Sequence, residues 1–210
     1  MKEKYLFIGA HPDDIEFGAG ATIAKSTSLG IECHSLVFSD CHETLTNVSD
    51  SIDKIVSESL QALQILGIQR VDTNWKTFPL RRFNEKRQEI LDILIEEYRD
   101  AGWSRVYIPN TLDVHQDHSV ISQESIRAFK FTTLFGYELP WNNLEMEIDV
   151  FNSVDEEFLN CKIEALSRFT SQQNRFYAEE CKIRSVLEFR GLQIGRKYAE
   201  GFQLIRQIEK

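Results

Sequence analysis

An α/β fold, with a mainly parallel sheet between two layers of helices, is predicted by two features of the sequence. Short apolar runs alternate with helical patterns four times before Pro109, and neither an internal repeat nor a Pro/Gly/Ser-rich linker interrupts them. Parallel neighbours need a crossover connection, which a helix usually supplies. Tyr5–Ala10 is the first apolar run, short enough for a strand buried on both faces, and it leads to a helix from about Glu16 that stops at Gly30. Ile31–Phe38 reads as the second strand. From Ser51, the residues Ile52, Ile55, Val56, Leu60, Leu63 and Leu66 recur at helical spacing up to Gly67, an amphipathic helix with a glycine stop. Ile68–Val71 is expected as the third strand. Phe83–Tyr98 repeats the helical pattern through Ile90, Leu91, Leu94 and Ile95, and Arg105–Pro109 is the fourth strand. Beyond Asp117, Val120, Ile121, Ile126 and Phe129 mark another helix. Strands are expected at Leu134–Leu139, Glu147–Phe151 and Phe202–Ile208, with helices at Asp155–Phe169 and Phe176–Phe189. The pattern amounts to a Rossmann-like three-layer α/β/α sandwich, one domain over residues 1–210.

Composition narrows the function. Hydrophobic residues make up 42% and include 14 Phe and 3 Trp, enough for a sizeable core. A net charge of −9 repels phosphate backbones and anionic lipid heads, so nucleic acid is excluded as a partner. No stretch approaches the ~18 apolar residues of a membrane span. The apolar run Tyr5–Ala10 is shorter than a signal-peptide core, so a cytoplasmic protein is expected. Cys33, Cys41, Cys161 and Cys181 show no CxxC spacing and read as reduced thiols.

The chemistry-bearing residues gather just past predicted strand ends, where ligands bind in open α/β sheets. His11-Pro12-Asp13-Asp14 follows the first strand; Asp113-Val114-His115-Gln116-Asp117-His118 follows the fourth. In the strand order 3-2-1-4-5 these strands are neighbours at the topological switch point, so the segments face one another and three of the five histidines converge. Two His with one Asp suit Zn²⁺ and leave a coordination position open, as catalytic zinc requires, which implies hydrolysis. The competing reading makes Asp13 or Asp14 a helix N-cap and His115 or His118 a polar turn residue.

AHPDDIEFGAGATIAK (residues 10–25) resembles the opening signature of the LmbE-like, or PIG-L, de-N-acetylases, and HQDH (residues 115–118) resembles that family's HxDH signature. The likeness extends through Glu58, Leu66-Gly67, Ser171-Gln172, Tyr198-Ala199-Glu200 and Phe202. Members are Zn²⁺-dependent hydrolases that remove acetyl groups from N-acetylglucosamine-type amino sugars attached to lipid, thiol-precursor or other carriers, some cleaving related amides. The resemblance implies His11, Asp14 and His118 as zinc ligands and Asp13 as the general base. It implies His115 facing the oxyanion or protonating the departing amine, both of which call for its cationic form, and Asp117 holding an imidazole in its working tautomer.

The chain departs from the family pattern at three places. Gly20-Ala21 replaces a glycine pair, a change expected to tighten loop packing. Ser39-Asp40-Cys41-His42-Glu43 stands where relatives carry an Asp-Gly-Glu turn, making Cys41 and His42 rim residues rather than extra ligands. Ile55, beside Lys54, stands where relatives place an arginine that grips sugar hydroxyls. His34 reads as a sheet residue, Arg81-Arg82 as a solvated helix-entry pair, and the three Trp as core or interface material that leaves a homo-oligomer open. The leading expectation is a zinc deacetylase of a small-molecule amino sugar. The alternatives are a zinc amidase for a larger acyl or thiol-conjugate amide, and a non-catalytic sugar-binding module.

Overall fold

The computed structural model describes residues 3–41, 51–99, 101–145, 147–172 and 175–209, the side chains of 51–53 excepted. Its strands are β1 (Lys4–Gly9), β2 (Glu32–Val37), β3 (Thr73–Trp75), β4 (Arg105–Pro109), β5 (Thr133–Tyr137), β6 (Val150–Val154) and β7 (Tyr198–Arg206). The helices are α1 (Asp14–Ser28), α2 (Ser51–Ile65), α3 (Arg87–Tyr98), α4 (Gln116–Ala128), α5 (Glu156–Ser167) and α6 (Glu180–Gln193). They build one seven-stranded sheet in the order β3-β2-β1-β4-β5-β7-β6. The first five strands in that order run parallel, and β7 pairs antiparallel with both β5 and β6.

Side chains alternate across a strand, so β1 feeds two cores at once. Tyr5 and Phe7 pack with Ile15 and Ile23 of α1, Leu63 of α2, Leu159 of α5 and Leu187 of α6. Leu6 and Ile8 point the other way, against Ile90 and Leu94 of α3 and Val120 and Ile121 of α4. The sandwich thus has α1, α2, α5 and α6 on one face and α3 and α4 on the other. The central β1–β4 pair puts the loops after Gly9 and Pro109 side by side.

Several boundaries differ from the sequence expectation. Ile68–Val71 is not a strand: Ile68 is buried, but residues 70–72 form a 3₁₀ turn and the third strand is Thr73–Trp75. Burial of a single apolar side chain does not require a ladder, and an edge strand of three residues leaves little periodicity to read. The 147–151 strand is displaced to Val150–Val154, and the last strand begins four residues before Phe202, at Tyr198. α3 is shorter than expected because residues 83–86 form a 3₁₀ turn, and α6 is displaced to Glu180–Gln193 behind a 3₁₀ turn at 176–178. Gly20-Ala21 lies in the middle of α1 rather than in a loop, where Gly20 lets Lys162 of α5 approach; a Cβ there would stand 3.0 Å from Lys162 Cγ.

Candidate metal and catalytic site

Gly9 ends β1, and the chain turns through His11 and Pro12 into α1. Asp13 stands at the turn with φ +92°, the left-handed region that side chains rarely occupy and that is tolerated mostly where function over-determines it. Although Asp13 holds the N-cap position, its side chain makes no capping hydrogen bond, so a capping role does not explain the residue. Across the crevice His115 does cap α4: its Nδ1 accepts from the Asp117 N–H at 3.2 Å.

Three donor atoms meet between the two segments. His11 Nδ1 lies 3.1 Å from His118 Nε2, Asp14 Oδ2 lies 3.2 Å from His118 Nε2, and His11 Nδ1 lies 3.5 Å from Asp14 Oδ2. Zinc–nitrogen and zinc–oxygen bonds of ~2.0–2.2 Å in tetrahedral geometry set donor–donor edges of about 3.3–3.5 Å, close to these separations. The outer ring nitrogens are already committed: His11 Nε2 faces Asp117 Oδ2 at 3.0 Å, and His118 Nδ1 faces Asp113 Oδ2 at 2.7 Å. A carboxylate on the outer nitrogen places the proton there and turns the lone pair of the inner nitrogen toward the shared point, which is how metal-binding imidazoles are oriented. The residues fit a divalent cation. His115 is adjacent, so that ring nitrogens of His11, His115 and His118 all fall within 4.8 Å of one another.

The electrostatics follow from burial and charge. Burial opposes the charged form of His118, but the Asp14 charge and hydrogen bonds with Asp113 and Asp14 outweigh it and lift the imidazole to about 10. Burial would likewise raise Asp14, yet the His118 charge and hydrogen bonds from both histidines pull it well below the carboxylate range. Asp13 lacks such partners. Burial and the Asp14 charge raise it to about 7, against the pull of Arg175, whose Nη1 stands 3.4 Å from Asp13 Oδ2. His115 is driven down to about 4 by burial, then by His118 and His11, so it is neutral near pH 7. Its Nδ1 accepts from a backbone N–H, which leaves the proton of the neutral ring on Nε2, whereas the roles implied by the resemblance call for the cation in the transition state. Asp117 orients His11 and not His115; it also accepts from the Arg81 N–H at 2.7 Å.

All six singled-out residues, His11, Asp13, Asp14, His115, Asp117 and His118, come together. Two neighbours were missed. Asp113 lay within the quoted segment, five positions before His118, and its strand-end location was the available signal. Arg175 lies far along the chain and carried no local signal. His42 lies outside the described residues. Lys54 Nζ stands 3.8 Å from Glu58 Oε1, and Glu58 in turn accepts from Ser171 Oγ at 2.5 Å. His34 stays remote, held by Glu32 at 2.8 Å and edge-on to Trp103.

Residues 6–129 match the family model described as PIG-L, GlcNAc-PI de-N-acetylase. The chain is 35% identical over 170 residues to Uncharacterized deacetylase YaiS of Escherichia coli strain K12, covering 79% of this chain and 90% of YaiS. Among solved structures it is similar to N,N'-diacetylchitobiose deacetylase from Pyrococcus horikoshii, with a TM-score of 0.79 at 20% identity over 97% of this chain and 84% of that one. It is equally similar to GalB, the 4-carboxy-2-hydroxymuconate hydratase of Pseudomonas putida KT2440, with a TM-score of 0.79 at 19% identity, covering 99% and 98% of the two chains. The last pair shows that this fold carries more than one reaction, so the structural likeness establishes architecture and the reaction has to be argued from the site.

Proposed function

From the premise that the chain belongs to the PIG-L family and is a hydrolytic deacetylase, we propose that it removes the acetyl group from an N-acetylglucosamine-type amino sugar, with a divalent ion held by His11, Asp14 and His118. The observation that carries this reading is the convergence of two inward-facing imidazole nitrogens and one carboxylate oxygen at 3.1–3.5 Å, each imidazole backed by its own carboxylate. This donor set suits zinc, which when bound polarises an amide carbonyl and makes water acidic near neutral pH. Relatives that act on amino sugars, the P. horikoshii diacetylchitobiose deacetylase among them, support the substrate class.

The chain's own groups divide the remaining work. Asp13, raised to about 7, takes the proton of the attacking water and is balanced to release it to the departing nitrogen. Neutral His115 donates from Nε2 to the carbonyl oxygen as it gains charge in the tetrahedral transition state. Asp117 and Asp113 fix the tautomers of His11 and His118. Arg175 holds the Asp13 carboxylate in place from the solvent side.

Elemental analysis should find about one divalent metal per chain. The purified protein should release acetate from N-acetylglucosamine or N,N'-diacetylchitobiose, lose that activity to a chelator and regain it with Zn²⁺. Chelator-insensitive release, or none from a broad panel of N-acetylated amino sugars, would refute the assignment.

A further inference from the structure

At the end of the sheet opposite the donor atoms, a cavity of about 180 Å³ opens between the last turns of α1 and the amino ends of β1 and β4. Lys25, on its rim, follows Asp14 by three helical turns, about 16 Å at ~1.5 Å per residue, so the space is separate from the catalytic crevice. Its walls are aromatic: Tyr5, Tyr107, Phe135, Phe151 and Phe202 all line it. A cavity of ~150 Å³ is enough for a benzene ring, so this one has room for a single ring and a small head group.

Two cations reach this cavity, Lys25 and Arg105, and among the described residues no carboxylate lines it. Lys25 Nζ donates to Asn152 Oδ1 at 3.2 Å and to the Ser153 carbonyl at 2.5 Å; both acceptors are neutral, and a third N–H remains. Asn152 is fixed in turn, its Nδ2 donating to Thr22 Oγ1 at 2.9 Å. The Arg105 guanidinium lies 5.0 Å from the ring centroid of Tyr5 and 5.9 Å from that of Phe135, and it faces the Tyr107 hydroxyl. Such rings hold a cation in place without cancelling its charge. Glu3, outside the lining, accepts from the Tyr5 hydroxyl at 2.8 Å and acts on Arg105 through its field alone. Neither Lys25 nor Arg105 forms an ion pair among the described residues, although the chain carries 33 Asp and Glu to supply one. Burial pushes the Tyr107 phenol up to about 12, so with Arg105 on its oxygen it keeps a proton to donate.

These features select an occupant. An inorganic anion would answer the cations and leave the aromatic faces uncovered, and a neutral ring would cover the faces and leave the cations unanswered. We propose that this cavity is a binding site for a small aromatic anion, one ring bearing a carboxylate or a phosphate, held by Lys25 and Arg105. The site is independent of the deacetylase reading, since it shares no residue with the donor set.

Benzoate and phenyl phosphate, titrated into the purified protein in a calorimeter, separate the two head groups. At least one should bind at one site per chain with a Kd of about 1 mM or tighter. Benzamide, which keeps the ring without the charge, and acetate, which keeps the charge without the ring, should each bind at least about tenfold more weakly. Arg105→Gln and Lys25→Gln should each weaken binding by about tenfold or more, the loss expected for a charged hydrogen bond. Val150→Phe, at a half-buried lining position of β6, should fill the space and abolish binding with both cations in place. His118→Ala should leave the affinity unchanged. Absence of saturable binding by both aryl anions at ~10 mM would overturn the proposal, as would benzamide binding as tightly as they do. Binding that none of the three cavity variants weakens would overturn it as well. Affinity lost in His118→Ala and kept in Arg105→Gln would place the anion at the donor atoms of the crevice, with the same result. Should the cavity variants fail to fold, the comparison of benzoate with benzamide and acetate still decides whether ring and charge are read together.

Discussion

His118 stands between two carboxylates, Asp14 and Asp113, and their combined pull holds its imidazole as a cation in the metal-free protein, up to about 10. A metal ligand must offer a lone pair, so an ion that binds here has to expel that proton. Zinc titrated into metal-free protein near neutral pH, in buffers of different ionisation enthalpy, should therefore release about one proton per ion, and affinity should fall as pH falls. His118→Ala should bind much more weakly and release none. Wild-type binding without proton release would remove His118 from the ligand set. The neighbouring aspartates separate by the same logic: Asp13 is not among the converging donors, so Asp13→Asn should keep the metal and lower kcat by roughly 10²–10⁴, while Asp14→Asn should weaken binding. Effects exchanged between the two would swap their roles. These residues were legible because a short motif fixes its own spacing. The outer partners of the imidazoles were less so: that Asp117 serves His11 on the other segment, and Asp113 serves His118, depends on how two loops face each other.

At the scale of an element, α1 is braced from outside. The Ala21 and Thr22 N–H groups donate to Glu200, and the Phe17 carbonyl accepts from Lys162. A buried ion pair thus supports the helix that begins at the catalytic turn, with both side chains almost fully excluded from solvent. Removing one partner strands the other charge, so Lys162→Met should destabilise the fold by about 3–5 kcal/mol in urea unfolding. A loss below ~1 kcal/mol would mean that water or another group replaces the ammonium. The same pair explains why β7 was read late. Glu200 looks like a polar break in a strand, and only the fold reveals that its carboxylate is consumed by α1. Conversely, β1 and β4 were legible because a strand buried on both faces is an uninterrupted apolar run, Tyr5–Ile8 in one and Val106–Ile108 in the other. The edge strands β3 and β6, only partly buried, carry no such run.

Taken whole, the molecule hangs two cores on one sheet, and the donor atoms come from both sides of the central β1–β4 pair. We propose that residues 1–210 unfold as one cooperative unit, because neither helical layer keeps a core without the shared sheet. Metal binding should then report on the entire chain. An ion that binds the folded state and not the unfolded one adds about 2.7 kcal/mol at a free concentration one hundred times Kd. For a chain of this length ~1 kcal/mol moves Tm by roughly 2–4 °C, so zinc should raise a single calorimetric transition by about 5–11 °C. His118→Ala should keep the single transition and lose most of the shift. If zinc raised only one of two resolved transitions, the chain would comprise separable units and the metal would clamp just one of them. A single transition that zinc leaves unmoved would instead place the ion outside the β1–β4 crevice, since a ligand bound across that pair cannot leave the folding equilibrium of the sheet unchanged.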